Sequence, residues 1–434
     1  MFSVLCIGIN AIVGSGIYRL PGRIAHDLGP ASWLAFLVVG LLLVTVALCF
    51  AEAGGMFDAN GGPYVYAREA FGKPVAFGVG WMAYVTMVFS WAAVANAVIG
   101  YLEAVVPLND SPLVTRAVVA ALILGPGALN YFGVRPGAYA TNFFTVAKLL
   151  PLSIFVLVGI WFVDWHHVTA MPDTGGRGFA PVGAALFAAL FAVQGFEVAP
   201  IPAGEAANPK KAVPIAVIGA LVGCSVFYVL IQLVAFGTKP TIGMPPEGSD
   251  ALWSARPIAE AAETFMGSAG GLLMAAGACI SMMGFCVGSA LATPRFLSVF
   301  AEDNIFPHWF AKPHPRYGSP DRAIVTTTAL TLVASQVLDF DKLVDLANVA
   351  VTLHYVGTCA AVAWLRVKRP ELARTYRVPL GPYLIPALGL GVCVLFFSQA
   401  SITEFLFSGL AVVAGTIIAV GTWLVRRGVA NRAV

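Results

Sequence analysis

The sequence is poor in charged residues. Asp, Glu, Lys and Arg make up 11% of its 434 residues, whereas 59% are hydrophobic. Soluble globular domains carry about 25% charged residues. The composition therefore excludes an ordinary soluble domain and predicts an all-α polytopic membrane protein. The net charge of +3 is too small to indicate a nucleic-acid partner.

The sequence also lacks the clusters that catalysis or metal binding needs. Its seven cysteines form no C-x-x-C pair and stand in apolar segments, which is typical of small buried side chains. No nucleophile–base set is apparent either, so we expect neither an enzyme nor a bound cofactor or metal. The first apolar run begins at Phe2 without a basic segment or an A-x-A-like cleavage site, which predicts a retained span rather than a signal peptide.

Long apolar segments fill most of the chain. A transmembrane helix needs about 20 apolar residues, and residues 257–265 read as a short amphipathic helix outside the membrane. Twelve segments qualify as spans: 3–28, 31–56, 75–106, 113–133, 138–163, 180–205, 212–238, 269–299, 323–338, 343–365, 381–400 and 404–426.

Basic residues are unevenly distributed among the connections. With the N-terminus inside, 17 Lys and Arg residues fall in cytoplasmic segments and 5 in outer segments. The positive-inside rule therefore favours a multi-pass protein of the plasma (inner) membrane with both termini in the cytoplasm. The outer residues are Arg116, Arg177, Lys239, Arg256 and Lys342.

The twelve predicted spans divide into two sets of five and a final pair. A set with an odd number of spans reverses its orientation when it is repeated. We therefore predict a five-plus-five inverted repeat, with its substrate site near the membrane midplane. Residues 1–163 would form the first repeat, residues 164–366 the second, and residues 367–434 the last two spans and the C-terminus.

Two apolar segments are interrupted by glycine at corresponding places in these sets. One reads Ala11-Ile-Val-Gly-Ser-Gly-Ile17, and the other reads Phe191-Ala-Val-Gln-Gly-Phe-Glu-Val-Ala-Pro200. Backbone groups left unpaired at bilayer depth cost several kcal/mol each. Such interruptions survive where they line a cavity, and a matched pair indicates a transporter's substrate site.

The first interruption, Gly14-Ser15-Gly16, favours a carboxylate ligand. Glycine allows an unwound backbone and a close approach of a ligand. The half-helix beginning near Ile17 would point its free N–H groups and positive end at the gap, which suits a carboxylate. The freed carbonyl of Ile12 would suit an ammonium group. The alternative is that the glycines only allow close helix packing.

The second interruption adds carbonyls and a carboxylate. Breaking the helix at Gly195 would free the carbonyls of Phe191 and Gln194 toward the same cavity. The Phe191 ring would cover the substrate as a gate, or it would simply pack against lipid or core. Glu197 is an ionisable group within a span and therefore a functional candidate, although it could instead tie down the unwound backbone.

Several motifs in order resemble the amino acid–polyamine–organocation (APC) superfamily. They are Gly14-Ser-Gly-Ile-Tyr18, Gly61-Gly-Pro-Tyr-Val-Tyr-Ala-Arg-Glu-Ala-Phe-Gly72, Gly195-Phe-Glu with Ala203-Gly-Glu-Ala-Ala-Asn-Pro-Lys-Lys-Ala-Val-Pro214, and Thr293-Pro-Arg-Phe-Leu-Ser-Val-Phe-Ala-Glu-Asp-Asn-Ile-Phe-Pro307 followed by Tyr317-Gly-Ser-Pro-Asp321. The resemblance covers nearly the whole chain. It implies an amino acid permease of the leucine-transporter-type fold, with substrate at the breaks in spans 1 and 6.

Lys148 lies within predicted span 5. In sodium-independent members of the superfamily, a lysine here resembles a replacement for a sodium ion beside the span-1 break. We therefore predict no sodium coupling, with Lys148 and Glu197 as the coupling residues. The alternative is that Lys148 extends toward the cytoplasmic surface.

The side-chain end of the substrate site is less defined. Tyr84, Met87, Trp91 and Val94 recur at helical spacing on span 3, a pattern shared by packing faces and pockets. Similarity to relatives brings Trp91 and Ser289 near the substrate side chain. No Arg for an acidic substrate is apparent, and Glu197 is the one candidate for a cationic substrate, so a neutral amino acid is favoured.

The sequence thus predicts a sodium-independent secondary transporter of amino acids, with proton coupling and alternating access. An amino acid/amine exchanger that accepts cationic substrates is the alternative. A non-transporting amino acid sensor would keep both interruptions but would usually carry long regulatory tails. The expected partners are the amino acid substrate and the lipid bilayer, and the last two spans could form a homodimer face.

Overall fold

The fold is helical throughout the part of the chain that can be described. The computed structural model describes residues 2–57, 61–103, 111–133, 138–169, 179–201, 209–246 and 251–430. Within these ranges all regular structure is α-helix or 3-10 helix. Outside them lie the predicted basic loop residues Arg135, Arg177 and Arg432 and part of one family motif, residues 203–208.

Several helices begin with proline, whose missing N–H costs nothing in a first helical turn. Pro63, Pro112, Pro257 and Pro294 are examples. The helices of the first half are α1 (Phe2–Ile12), α2 (Gly16–Leu28), α3 (Ser32–Met56), α4 (Pro63–Phe71), α5 (Lys73–Leu102), α6 (Pro112–Tyr131), α7 (Ala138–Gly159) and α8 (Trp165–Thr169).

The second half continues the pattern. Its helices are α9 (Ala180–Val193), α10 (Pro209–Thr238), α11 (Pro257–Ala292), α12 (Pro294–Glu302), α13 (Asp321–Val337), α14 (Phe340–Lys368), α15 (Leu384–Phe397) and α16 (Ile402–Ala430). Gly267 has φ 63° and ψ −163°, so α11 is two helices that meet at a kink. The first of them corresponds to the predicted amphipathic helix.

Each of the twelve predicted spans contains a helix within the described residues, but not all of these helices are long. Within the described ranges, 9 helical stretches are long and apolar enough to cross a membrane. The α13 helix has 17 residues and the α15 helix has 14 residues, so both are short for a span. The helical membrane architecture is confirmed, whereas the count of twelve spans stays a prediction.

Small residues bring the long helices close together, as is common in membrane bundles. The α3 helix packs along α10, and α5 packs along α14. A Cβ at Gly40 of α3 would lie 2.6 Å from the Ser225 Oγ of α10. Likewise, Gly357 of α14 lies against the Val79 side chain of α5. These two helix pairs surround the interrupted helices.

Candidate substrate site

The chain is unwound at the first predicted interruption. The α1 helix ends at Ile12, and α2 begins at Gly16. The N–H groups of Ser15, Gly16 and Ile17 donate to no acceptor among the described residues, and the Ser15 Oγ also has no partner there. A helix start with free N–H groups carries a partial positive charge. This end of α2 is therefore suited to an anionic group such as a carboxylate.

Lys148 binds the carbonyl side of the same interruption. Its side chain is completely buried on α7, and its Nζ donates to the Asn10 oxygen at 3.1 Å and to the Val13 oxygen at 2.6 Å. The Ser281 hydroxyl of α11 donates to the Val13 oxygen at 3.1 Å and to the Gly14 oxygen at 3.3 Å. The lysine ammonium thus ties α7 to the unwound backbone and does not extend to a surface.

The carbonyl of Ile12 is partly occupied. It accepts from the Gly14 N–H at 2.9 Å and from the Tyr228 hydroxyl at 3.2 Å. The preceding carbonyl, that of Ala11, accepts no hydrogen bond from a described residue. Both residues line the central cavity. Ala11 is therefore a second acceptor for an ammonium group that sequence reasoning did not identify.

The second interruption follows α9. Gln194 is extended and Gly195 has φ 122°, after which residues 196–198 form one 3-10 turn. The Gly195 N–H donates to the Glu197 carboxylate at 2.8 Å instead of to the Phe191 carbonyl. Consequently the carbonyls of Phe191 and Gln194 accept no hydrogen bond from the residues described. These carbonyls add negative partial charge to the cavity wall.

The two interrupted segments are in close contact at Gly16 of the first and Gly195 of the second. A Cβ on Gly16 would lie 2.6 Å from the Ala192 Cα, and a Cβ on Gly195 would lie 2.6 Å from the Ala11 carbonyl carbon. Real Cβ atoms do not approach backbone so closely. Each glycine is therefore required where its chain crosses the other interrupted segment, and the two breaks form one site.

A small buried cavity of about 30 Å³ lies at this crossing. Ligand sites for drug-sized molecules enclose roughly 300–1,000 Å³, so this cavity is much smaller than a typical ligand site. Two buried polar atoms at the wall, the Ser15 Oγ and the Gln194 Oε1, have no described partner. The lining residues are Ala11, Ile12, Gly14, Ser15, Gly16, Thr86, Met87, Ser90, Val94, Phe191, Gln194, Gly195, Glu197, Val198 and Phe285.

The structure does not bring Trp91 or Ser289 to the cavity. Both are buried, Trp91 on α5 and Ser289 on α11, but neither lines the wall. The α5 residues that line it include Met87, Ser90 and Val94. Trp91, one turn after Met87, stands at the edge of this helix face and is not part of the wall, and Ser289 is one turn beyond Phe285, the α11 residue that does line the cavity.

Glu197 separates this cavity from a second, smaller one. A cavity of about 10 Å³ shares Thr86, Met87, Glu197 and Val198 with the first, and its wall includes His354. Besides the Gly195 N–H, the Tyr355 hydroxyl donates to the Glu197 carboxylate at 2.9 Å. His354 is buried, and its Nδ1 has no partner among the residues described. The carboxylate is thus positioned between two small cavities.

Aromatic and charged side chains close the Phe191 side of the cavity. The Phe191 ring meets the Phe340 ring edge-on with centroids 6.1 Å apart, and the Arg19 guanidinium lies 4.9 Å from the Phe340 ring centre. Beyond them, Arg23 of α2 lies 3.4 Å from Asp341 and 3.3 Å from Asp345, both on α14. These contacts join α2 to α14.

Asp303 joins α4 to the end of α12. Tyr64 and Arg68 of α4 both donate to its carboxylate, Arg68 at 2.9 Å, and Lys73 lies 3.5 Å away. Burial raises the pKa of Asp303, but the hydrogen bonds from Tyr64 and Arg68 outweigh burial and hold this pKa below its ordinary value. Asp303 therefore stays ionised at neutral pH, and the link persists.

Among the residues that the structure describes, no group of three or more His, Cys, Asp or Glu side chains is arranged to hold a metal ion. The charged groups nearest the interruptions are Lys148 and Glu197, and backbone amides and carbonyls supply the remaining polarity. The arrangement can bind a small molecule that carries both an anionic and a cationic group.

Comparison with known proteins gives matches along most of the chain. The family described as amino acid permease matches residues 1–422. A methylthioribose transporter of Bacillus subtilis (strain 168) is 25% identical, covering 96% of this chain and 91% of that protein. A serine/threonine exchanger of the same organism is 27% identical over 95% and 92% of the two chains. The cationic amino acid transporter 4 of Mus musculus is 27% identical over 84% of this chain and 59% of its own length.

Proposed function

Because the chain belongs to the amino acid permease family, we propose that it is a sodium-independent secondary transporter of neutral amino acids. It binds the substrate's α-carboxylate and α-ammonium groups at the two helix interruptions and moves the substrate by alternating access. The observation that carries this proposal is the pairing of free N–H groups at the start of α2 with free carbonyls at the end of α9 around one buried cavity.

The polarity of the wall matches an α-amino acid at its backbone end. Three free N–H groups, those of Ser15, Gly16 and Ile17, would receive the carboxylate. The free carbonyls of Ala11, Phe191 and Gln194 would receive the ammonium group. Hydrogen bonds to charged groups contribute about 1.5–3 kcal/mol each, so a ligand that lacks either charge loses a large part of its affinity.

The rest of the wall favours a neutral side chain. Met87, Val94 and Phe285 are apolar, and Ser90 and Thr86 are uncharged. Glu197 is the one carboxylate of the described lining, and its Oε2 already accepts from the Gly195 N–H and the Tyr355 hydroxyl. A cationic substrate would have to compete with both donors.

Lys148 supports sodium independence. Its ammonium occupies the position at the first interruption where a cation would meet the carbonyls of Asn10 and Val13. A second cation there would be repelled by the lysine charge. The lysine also connects α7 to the unwound segment, so a change in its protonation would alter a contact next to the substrate.

The helix packing supports the inverted repeat and the division into residues 1–163, 164–366 and 367–434. If span n corresponds to span n + 5, packing partners in one repeat should recur in the other. The α7–α11 contact then corresponds to α14–α5, the α1–α10 contact to α9–α3, the α1–α7 contact to α9–α14, and the α6–α11 contact to α13–α5. All eight of these helix pairs pack against each other.

This arrangement supplies the parts that alternating access needs. In the predicted topology, the Arg23 link to α14 and the Asp303 link between α4 and α12 lie on opposite sides of the membrane, so each side would open when its own link breaks. The positive-inside distribution favours an orientation with the Asp303 side, the N-terminus and the C-terminus on the cytoplasmic side of the plasma membrane. The homodimer remains a proposal for α15 and α16, whose outward faces are apolar.

Uptake into liposomes tests this function. We expect the purified protein to take up a labelled neutral amino acid equally well in sodium and in choline buffer, driven by an inward proton gradient. An exchanger, which the name of the serine/threonine relative suggests as the alternative, would require amino acid inside the liposome. Uptake that depends on sodium would contradict the role given to Lys148.

The coupling role of Glu197 has its own test. Glu197→Gln should retain the hydrogen bonds from the Gly195 N–H and the Tyr355 hydroxyl, because an amide oxygen accepts both. Since the amide cannot take up a proton, proton-driven accumulation should be lost while substrate-induced thermal stabilisation persists. Tyr355→Phe is the matched control, because it removes a donor and keeps the carboxylate. Proton-driven accumulation in Glu197→Gln would assign the carboxylate a structural role.

A further inference from the structure

The loop formed by residues 369–383, which joins α14 to α15, is built around a buried carboxylate. Glu52 of α3 is fully buried and accepts from the Arg366 Nε at 2.7 Å and from the Val378 N–H at 2.7 Å, and the Arg374 Nε lies 3.3 Å away. The Thr375 hydroxyl donates to the Lys210 carbonyl at 2.5 Å. The loop is therefore fixed against the ends of α3, α10 and α14.

This fixed loop holds one large apolar side chain outward in a strained conformation. Leu380 has φ 62°, a left-handed conformation that non-glycine residues rarely adopt, and its side chain is 70% exposed. Arg366 donates to the Val378 carbonyl at 2.8 Å and to the Gly381 carbonyl at 2.6 Å, on either side of Leu380. Strained residues persist where their surroundings impose them, and they cluster at functional positions.

The basic side chains around Leu380 are not all neutralised. Arg366 and Arg374 face Glu52, and Arg369 pairs with Glu371 at 2.5 Å. The exposed Arg377, by contrast, has no ion pair or hydrogen bond with any residue the structure describes.

A second exposed cation lies at the start of α10, next to the residue that the loop contacts. Lys211 is the residue after Lys210, whose carbonyl binds the loop, and its side chain is exposed without an ion pair among the residues described. Tyr383, 62% exposed, stands at the start of α15, where an aromatic ring suits a membrane interface. Exposed cationic and apolar groups thus stand on the loop and on the helix end that the loop contacts through Thr375.

We propose that the 369–383 loop with Lys211 is a binding surface for an anionic phospholipid. Arg377 and Lys211 bind the phosphate of the headgroup, and Leu380 inserts among the acyl chains. The surface lies at the helix ends that the basic residues assign to the cytoplasmic leaflet, where anionic headgroups attract basic segments. The inference requires only that the chain spans a membrane and does not depend on the substrate.

The test is a titration of the full-length protein in neutral detergent, with the thermal unfolding midpoint as the readout. Phosphatidylglycerol should raise the midpoint, whereas phosphatidylcholine and glycerol 1-phosphate should not. In the Lys211→Gln/Arg377→Gln double variant, the phosphatidylglycerol concentration for half the effect should rise about fivefold for each charge removed. The control is the Arg116→Gln/Lys239→Gln double variant. Arg116 stands near the start of α6 and Lys239 follows the end of α10, on the predicted outer side of the membrane. This variant should respond to phosphatidylglycerol as the unmodified protein does.

Leu380→Gly separates lipid insertion from folding. Glycine relieves the left-handed strain, so the midpoint without lipid should stay equal or rise, while the response to phosphatidylglycerol should fall. A wild-type response in the double variant, or in Leu380→Gly, would overturn the proposal. Stabilisation by glycerol 1-phosphate alone would also overturn it, because the site would then bind a free phosphate rather than a lipid.

Discussion

Replacing Lys148 with methionine is expected to reduce the initial rate of amino acid uptake by about 100-fold or more. The buried Nζ donates to two backbone carbonyls beside the substrate cavity. Hydrogen bonds of a charged group contribute about 1.5–3 kcal/mol each, so their joint loss exceeds the roughly 2.7 kcal/mol that a 100-fold change represents. Methionine keeps the apolar length of the side chain and removes its charge.

Ser281→Ala is the matched control for Lys148→Met. The Ser281 hydroxyl contacts the same unwound segment, at 3.1 Å from the Val13 oxygen and 3.3 Å from the Gly14 oxygen, but it is neutral. A neutral hydrogen bond contributes about 1 kcal/mol, so uptake should fall less than tenfold. Both variants should elute as monodisperse protein. Wild-type uptake by Lys148→Met would show that the lysine is a packing residue.

The second large effect is expected at the glycines where the interruptions cross. Gly195→Ala should eliminate substrate binding, because the new Cβ would lie 2.6 Å from the Ala11 carbonyl carbon and the residue would keep φ 122°. Gly16→Ala should do the same through its 2.6 Å approach to the Ala192 Cα. The measurement is the rise in thermal unfolding midpoint at saturating amino acid.

Gly267→Ala distinguishes close approach from backbone strain. Gly267 has φ 63°, but a Cβ there would meet nothing within 4 Å among the residues described. This variant should lose about 1–3 kcal/mol of stability, because φ 63° with ψ −163° is a backbone region that almost only glycine occupies, and it should keep its response to substrate. If Gly195→Ala and Gly16→Ala also kept that response, the crossing would be a packing contact rather than a binding site.

Sequence reasoning predicted the parts of the site that depend on backbone chemistry. Glycines in apolar segments indicated both interruptions, and the structure unwinds the chain at both. A lone lysine in a span indicated a buried cation, and the Lys148 Nζ is bound by backbone carbonyls. These signals are local, because the cost of unpaired backbone or buried charge in a membrane does not depend on the neighbouring helices.

The residues around the substrate's side chain could not be predicted from the sequence in the same way. Trp91 and Val94 are separated by a helical interval, yet only Val94 lines the cavity. Which residues of α5 and α11 face inward depends on how each helix is rotated in the bundle, and apolar residues surround both helices. Phe285 and Tyr355 carried no sequence signal for this reason, although both contact the site.

The central claim is that the two interruptions together bind both charges of an α-amino acid. The most direct measurement is the thermal unfolding midpoint with the most stabilising of the twenty amino acids, with the corresponding α-hydroxy acid, and with the corresponding amine that lacks the carboxylate. Specific ligands stabilise the native state by mass action. The amino acid alone should raise the midpoint. Equal stabilisation by the hydroxy acid or by the amine would show that one of the two interruptions does not hold its charge, and would contradict the claim.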